Sequence, residues 1–172
     1  MSDFTELLEA EIPKLRRYAR ALTRDPARAD DLVQNSLVRA IAKQHLWQPG
    51  TDLRAWLFTI LHHQNVNDVR SAADGVPVEK VAPTLAAVSD PTAALQIRDL
   101  ERAMAALPEG QRQVILLVGL EGMRYDEVAT ILRIPVGTVR SRLSRGRETL
   151  RSLMEARGNT GISPASPWRE AA

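Results

Sequence analysis

The sequence predicts an all-α chain: two small helical domains joined by a flexible linker. Three observations predict it. Apolar residues recur at three- and four-residue spacing along most of the chain, the period of one helix face. Aromatic residues make up only 4% of the chain and β-branched runs are absent, so strands have little to build on. Residues 71–89 lose the period altogether and carry Gly75, Pro77 and Pro83 among small residues, the composition of a linker. The expected division is a first domain at 1–70, a linker at 71–90, a second domain at 91–156 and a disordered tail at 157–172, where Gly, Ser and Pro dominate.

In chain order, Phe4, Leu7, Leu8, Ile12, Leu15, Tyr18, Ala19 and Leu22 mark a first helix over residues 4–24. Pro13 either kinks it or begins a new one, since a first turn accepts proline. Asp25-Pro26 is expected to end it. A second helix follows over 27–45, with Leu32, Val33, Leu37, Ala40 and Ile41 inward. After a loop at Trp47-Gln48-Pro49-Gly50, Thr51 or Asp52 can cap a third helix, because either side-chain oxygen can accept from a free backbone N–H. That helix carries Leu53, Trp56, Leu57, Ile60 and Leu61 to about residue 70, with Trp56 assigned to packing. Asp90-Pro91 is a cap followed by proline and starts the next helix, whose inner face is Leu95, Leu100, Ala103, Met104 and Leu107. Pro108 breaks it, and a further helix runs over 109–120 through Val114, Ile115, Leu117 and Val118.

The stretch Tyr125 to Arg147 is the most informative. Val128, Ala129 and Leu132 lie on one face of a short helix, and Pro135 drives the preceding residue out of helical geometry. A second helix restarts near Val136 or Gly137 and runs toward Met154, with Val139, Leu143, Leu150 and Leu153 inward. Arg140, Arg142, Arg145, Arg147 and Arg151 spread over the remainder against a single acid, Glu148. A solvated face normally mixes signs, and this one does not. Two short helices with a basic second member form the helix-turn-helix pattern, in which the second helix enters the DNA major groove. Ala129 is the small residue needed where the helices cross. The turn ordinarily takes a glycine in the left-handed conformation, and Arg133 stands there at a cost of about 1 kcal/mol.

Bulk properties narrow the function classes. The 172 residues hold 23 Lys+Arg against 21 Asp+Glu, a net charge of +2, with basic residues gathered in the stretch just described and acids around Glu6 to Glu11 and Asp30-Asp31. A basic patch on a nearly neutral chain is an electrostatic footprint for nucleic acid. The absence of cysteine excludes disulfides, zinc–thiolate sites and thiol redox sensing. No apolar run reaches membrane-span length and residues 1–10 lack the order of a signal peptide, so a cytoplasmic protein without membrane contact is expected. No nucleophile–base pair, phosphate loop or metal constellation is evident, so no catalytic residue, metal or cofactor is assigned. His62 and His63 are adjacent, about 100° apart on a helix, and make a poor metal pair.

The blocks ARADDLVQNSLVRA, PGTDLRAWLFTI and ALPEGQRQVILLVGLEGMRYDEVATILRIPVGTVRSRLSRGRETLR, in this order, resemble the extracytoplasmic-function group of bacterial RNA polymerase sigma factors. The resemblance spans roughly residues 10–155 and implies a region 2 bundle and a region 4 helix-turn-helix. It implies that Asp30, Asp31, Gln34, Asn35 and Arg39 dock on core RNA polymerase. Gln48, Thr51, Asp52 and Arg54, with His62 and His63 nearby, would meet the −10 promoter element, where an unstacked base is captured. The family often has Asn where His63 stands, which leaves the −10 preference open. Thr138, Arg140, Ser141, Arg142, Ser144, Arg145 and Arg147, together with Arg124, would meet the −35 element. Arg140 is the base reader, since its planar fork can bond guanine O6 and N7 together. Ser141 and Ser144 are small enough to approach bases, and the remaining residues hold phosphates.

The implied partners are core RNA polymerase, promoter DNA and an anti-sigma factor, and the implied role is that of an alternative sigma factor. Asp74, Glu79 and Asp90 would suit a linker that mimics nucleic acid in the polymerase cleft, and Trp168 is a candidate contact for a regulator. Two other readings stand beside this one. A stand-alone helix-turn-helix regulator would bind duplex DNA without polymerase. A sigma-like decoy would sequester an anti-sigma factor and have no use for the arginines of the basic helix.

Overall fold

The computed structural model describes residues 3–73, 75 and 90–157, and all the regular structure among them is helical. The first unit holds α1 (Phe4–Thr23), α2 (Pro26–Ala42), a 3₁₀ turn (Gln44–Leu46) and α3 (Leu53–Ala73). The second holds α4 (Pro91–Ala106), α5 (Glu109–Ile115), a π turn (Leu116–Leu120), α6 (Tyr125–Leu132) and α7 (Val136–Arg157). Of the expected linker, residues 71–73 continue α3 and Asp90 caps α4, while residues 74 and 76–89 fall outside the described residues, as does the tail with Trp168; Asp74 and Glu79 are among them.

Each boundary has a local cause. α1 passes through Pro13 and stops at Arg24, whose left-handed backbone (φ 57°, ψ 22°) lets its N–H donate to the Arg20 carbonyl. Asp25-Pro26, expected to end α1, instead opens α2. The Asp25 carboxylate accepts from the Ala27 and Arg28 N–H groups at 3.0 and 3.2 Å, satisfying two donors that lack helical partners. Asp52 caps α3 by accepting from Ala55 N–H at 3.1 Å, and Asp90 caps α4 by accepting from Thr92 N–H at 2.9 Å, with Pro91 in the first turn. At the far end of α4, Arg112 donates to the Met104, Ala105 and Leu107 carbonyls, so one guanidinium closes a helix end that has no glycine.

Three expectations need correction. α2 ends at Ala42 rather than running to 45, and the 3₁₀ turn takes over. α4 buries little: Ala103 is its buried residue, while Leu95, Ile97 and Leu100 are 58%, 36% and 43% exposed. Their apolar spacing is real, but among the described residues no element packs over that side of the helix. The helix expected over 109–120 widens after Ile115, where the Glu121 N–H donates to the Leu116 carbonyl five residues back. Gly122 then turns the chain with φ 63°, a conformation that favours glycine.

The core of the first unit is Leu15, Tyr18, Leu32, Val33, Leu57, Phe58 and Leu61, all nearly inaccessible, with the Tyr18 and Phe58 rings edge to face at 5.2 Å. Each fully buried aliphatic side chain contributes about 2–3 kcal/mol by removal from water. Phe4, Trp47 and Trp56 form an aromatic cluster packed against this core; Trp56 therefore packs, as expected. The second unit is centred on Val114, Leu117, Val128, Ile131 and Val139. The units are not separate. α3 lies against α6 and α1 against the π turn, and the buried side chains form one continuous cluster across both.

Candidate nucleic-acid interface

α6 and α7 build the basic surface. α6 begins with a Glu127 carboxylate accepting from the Arg124 N–H at 2.7 Å, and it buries Val128, Ala129, Ile131 and Leu132. Arg133 has φ 55° and ψ 46°, so the left-handed turn expected from the sequence is present and is made by a non-glycine residue. The Ile134 N–H then reaches the Ala129 carbonyl at 3.1 Å, and the Pro135 carbonyl accepts from Thr138 and Val139 to start α7. Val139 and Leu143 are buried under α6, which fixes the rotation of α7. That rotation leaves Arg140, Ser144 and Arg151 exposed on one side of the helix, with Arg145 exposed about 140° round from Arg140. Arg140, Ser144, Arg147, Glu148 and Arg151 line a shallow groove with Tyr125 and Leu143.

The other expected residues on this surface differ among themselves. Thr138 and Ser141 are half-buried, and the Ser141 hydroxyl donates to the Thr138 carbonyl at 3.1 Å. Arg124 is exposed but paired with Asp126, whose carboxyl it holds below the usual carboxylate range through their side-chain hydrogen bonds. Arg142 is turned toward α5: a Cβ built on Gly110 would lie 2.9 Å from its guanidinium. Close packing of α7 on α5 also explains Gly146, where a Cβ would meet Ile115 Cδ1 at 2.7 Å.

On the first unit, Asp31, Gln34, Asn35 and Arg39 are exposed along α2, with Val38 and Ile41 66% and 52% exposed beside them. Asp30 is half-buried, 3.7 Å from Arg20. Gln48, Thr51 and Asp52 are exposed around the start of α3. Arg54 is turned inward, to Glu121 of the second unit. His62 and His63 are half-buried with ring centroids 6.0 Å apart. Burial, then the charge of His63 and of Arg133 on the facing helix, lowers His62 to about 4. Burial also lowers His63, aided by Arg133 and Lys43.

Comparison with known proteins gives the family. Residues 8–62 match the model for the Sigma2 domain of PhyR, and residues 97–150 match that for Sigma-70, region 4. The chain is 38% identical over 161 residues to the ECF RNA polymerase sigma factor EcfG of Rhodopseudomonas palustris, an alignment covering 90% of this chain and 87% of that one. The chain belongs to the extracytoplasmic-function sigma factors. As such it is a transcription initiation factor. Among solved structures, the sigma factor RpoE in complex with the anti-sigma factor NepR from Bartonella quintana has a TM-score of 0.78 at 35% identity, covering 90% of this chain and 98% of its own. CnrH in complex with the cytosolic domain of CnrY has a TM-score of 0.66 at 27% identity, covering 89% and 88%.

Sequence reasoning missed two features of this sigma factor. Glu121 carries no local signal in the sequence, although its side chain is wholly buried between the units. Gly146 was passed over, although a glycine in mid-helix costs about 1 kcal/mol and so signals a close approach.

Proposed function

We propose that the chain directs core RNA polymerase to promoters as an alternative sigma factor. The exposed face of α2, with Asp31, Gln34, Asn35 and Arg39 beside Val38 and Ile41, docks on core polymerase. Gln48, Thr51, Asp52 and Arg54 contact the −10 element, with His62 and His63 further along the same helix. α7 reads the −35 element through Arg140, with Ser144 close to the bases and Arg145 and Arg147 on phosphates. The observation that carries the reading is the rotation of α7: burial of Val139 and Leu143 leaves Arg140 and Ser144 exposed on a groove that Arg147 and Arg151 also line. An anti-sigma factor is proposed as the controlling partner, by likeness to the solved sigma factor bound to one. The site of action is the cytoplasm, where the polymerase is.

A decoy reading draws on one observation. The model matching residues 8–62 carries the name of PhyR, an anti-anti-sigma factor. Against it stands the exposed arginine group, for which a decoy has no use. Run-off transcription separates the readings. Core polymerase given this protein and a promoter library is expected to start at a narrow set of sites. A decoy yields no added starts, and a stand-alone regulator binds duplex DNA equally well without polymerase.

A further inference from the structure

Among the described residues, Glu121 is the charged side chain most fully removed from water while paired across the two units. Its carboxylate has no solvent exposure, and it belongs to the second unit while both of its cationic partners belong to the first. Arg17 of α1 grips it with two parallel bonds, Nε to Oε1 at 3.0 Å and a terminal nitrogen to Oε2 at 2.9 Å, the strong bidentate geometry. Arg54 of α3 donates to Oε2 at 3.1 Å and to the Glu121 backbone carbonyl. The π turn and the left-handed Gly122 place the carboxylate there; an α-helical turn would carry it elsewhere. Around this pair, α3 packs on α6, and Asn65 of α3 reaches Glu109 at 3.5 Å.

The closed arrangement cannot bridge a promoter. By the positions that name them, the −35 and −10 elements lie about 25 base pairs apart, roughly 85 Å at about 3.4 Å per pair. A compact body of about 140 residues has a radius of gyration near 14 Å and a diameter of about 40 Å. The 16 residues between Ala73 and Asp90 span up to about 58 Å when extended, enough to let the units part. Arg54, assigned to promoter contact, meanwhile has a carboxylate where a phosphate would sit.

We propose that the closed form is an autoinhibited state held by a carboxylate latch, Glu121 between Arg17 and Arg54, which must open before both promoter elements can be engaged. This rests on the sigma-factor reading. A ligand that binds only the open form pays for opening, so its apparent Kd rises by the inverse of the open fraction. Core polymerase is that ligand.

The test uses the full-length protein. The chain has no cysteine, so Arg28→Cys on α2 and Ser152→Cys on α7, both exposed, carry a fluorophore pair. In that background Glu121→Gln and Arg17→Gln are each expected to raise the ratio of long- to short-distance populations at least tenfold without polymerase or DNA. They are also expected to tighten the apparent Kd for core polymerase several-fold. Amide exchange within each unit should stay at wild-type protection, separating unlatching from unfolding. Should Glu121→Gln not fold, Arg17→Gln alone decides, since Arg17 is half-exposed. Wild-type distances in the variants, or longer distances with an unchanged polymerase Kd, overturn the proposal. Failure of the sigma reading is seen separately, as absence of promoter-specific starts from wild-type protein.

Discussion

Replacing Arg133 with glycine should stabilise the protein. Arg133 closes α6 with φ 55° and ψ 46°, and its side chain is exposed. Holding an L-residue there costs about 1–2 kcal/mol because Cβ crowds the following carbonyl. Glycine removes that cost but gives back about 0.5–1 kcal/mol through the greater freedom of the unfolded chain. The net expectation is a gain of up to about 1 kcal/mol, equivalent to a rise in Tm of about 2–4 °C for a chain of this size. Arg133→Ala is the control, since it deletes the same side chain and charge but keeps Cβ. Thermal unfolding followed by circular dichroism should place Arg133→Gly above Arg133→Ala by about 1 kcal/mol. Equal Tm values for the two variants would refute the backbone argument. A second readout comes from charge: Arg133 helps to depress His62, so both variants should raise the His62 pKa toward its ordinary value.

Three further outcomes follow from the packing and charge of the chain. Gly146→Val should lower stability by about 1–3 kcal/mol in urea unfolding, because a Cβ there meets Ile115 Cδ1 at 2.7 Å and Gln111 Cβ at 3.3 Å; a neutral result would mean α7 slides freely on α5. His62 is held neutral mainly by burial, with a folded value of about 4 against 6.5. Its contribution to stability is therefore complete above pH 6.5 and is lost as pH falls toward 4, with uptake of one proton on unfolding; His62→Gln should flatten that part of the stability profile. In complex with core polymerase, Arg145→Ala should weaken promoter binding evenly across sequences and reduce the slope of log K against log salt by about 0.9, as expected for one lost phosphate contact.

What could be read from the sequence was mostly local chemistry. The cap of α3 was legible as Thr51 or Asp52, and that of α4 as Asp90, because capping depends on a side chain and a backbone N–H a few residues apart. The left-handed turn at Arg133 was legible for the same reason: a helix broken by Pro135 with Val139 closing the corner leaves one geometry for that position. Asp25 was read as ending α1 when it begins α2, since a cap and a stop share the same residues when two helices abut. Leu95 and Leu100 show the limit of periodicity. Their spacing identifies the helix, but only a packing partner decides whether that face is inside, and among the described residues α4 has none over it. Among the expected contacts, α7 brings Arg140, Ser144 and Arg147 to one groove, while Arg142 lies on Gly110 and Arg54 faces Glu121. The Glu121 pairing joins residues 104 and 67 positions apart, and no local pattern encodes it.

The central claim, that α7 lies in the promoter while the first unit serves the polymerase, is tested most directly by sequencing transcription starts. Core polymerase with wild-type protein or Arg140→Ala would transcribe a library randomised in both promoter elements. The expected result is loss of preference at one upstream position in the variant, worth about 1–3 kcal/mol of discrimination, with downstream preference intact. An upstream preference identical to wild type would contradict the claim.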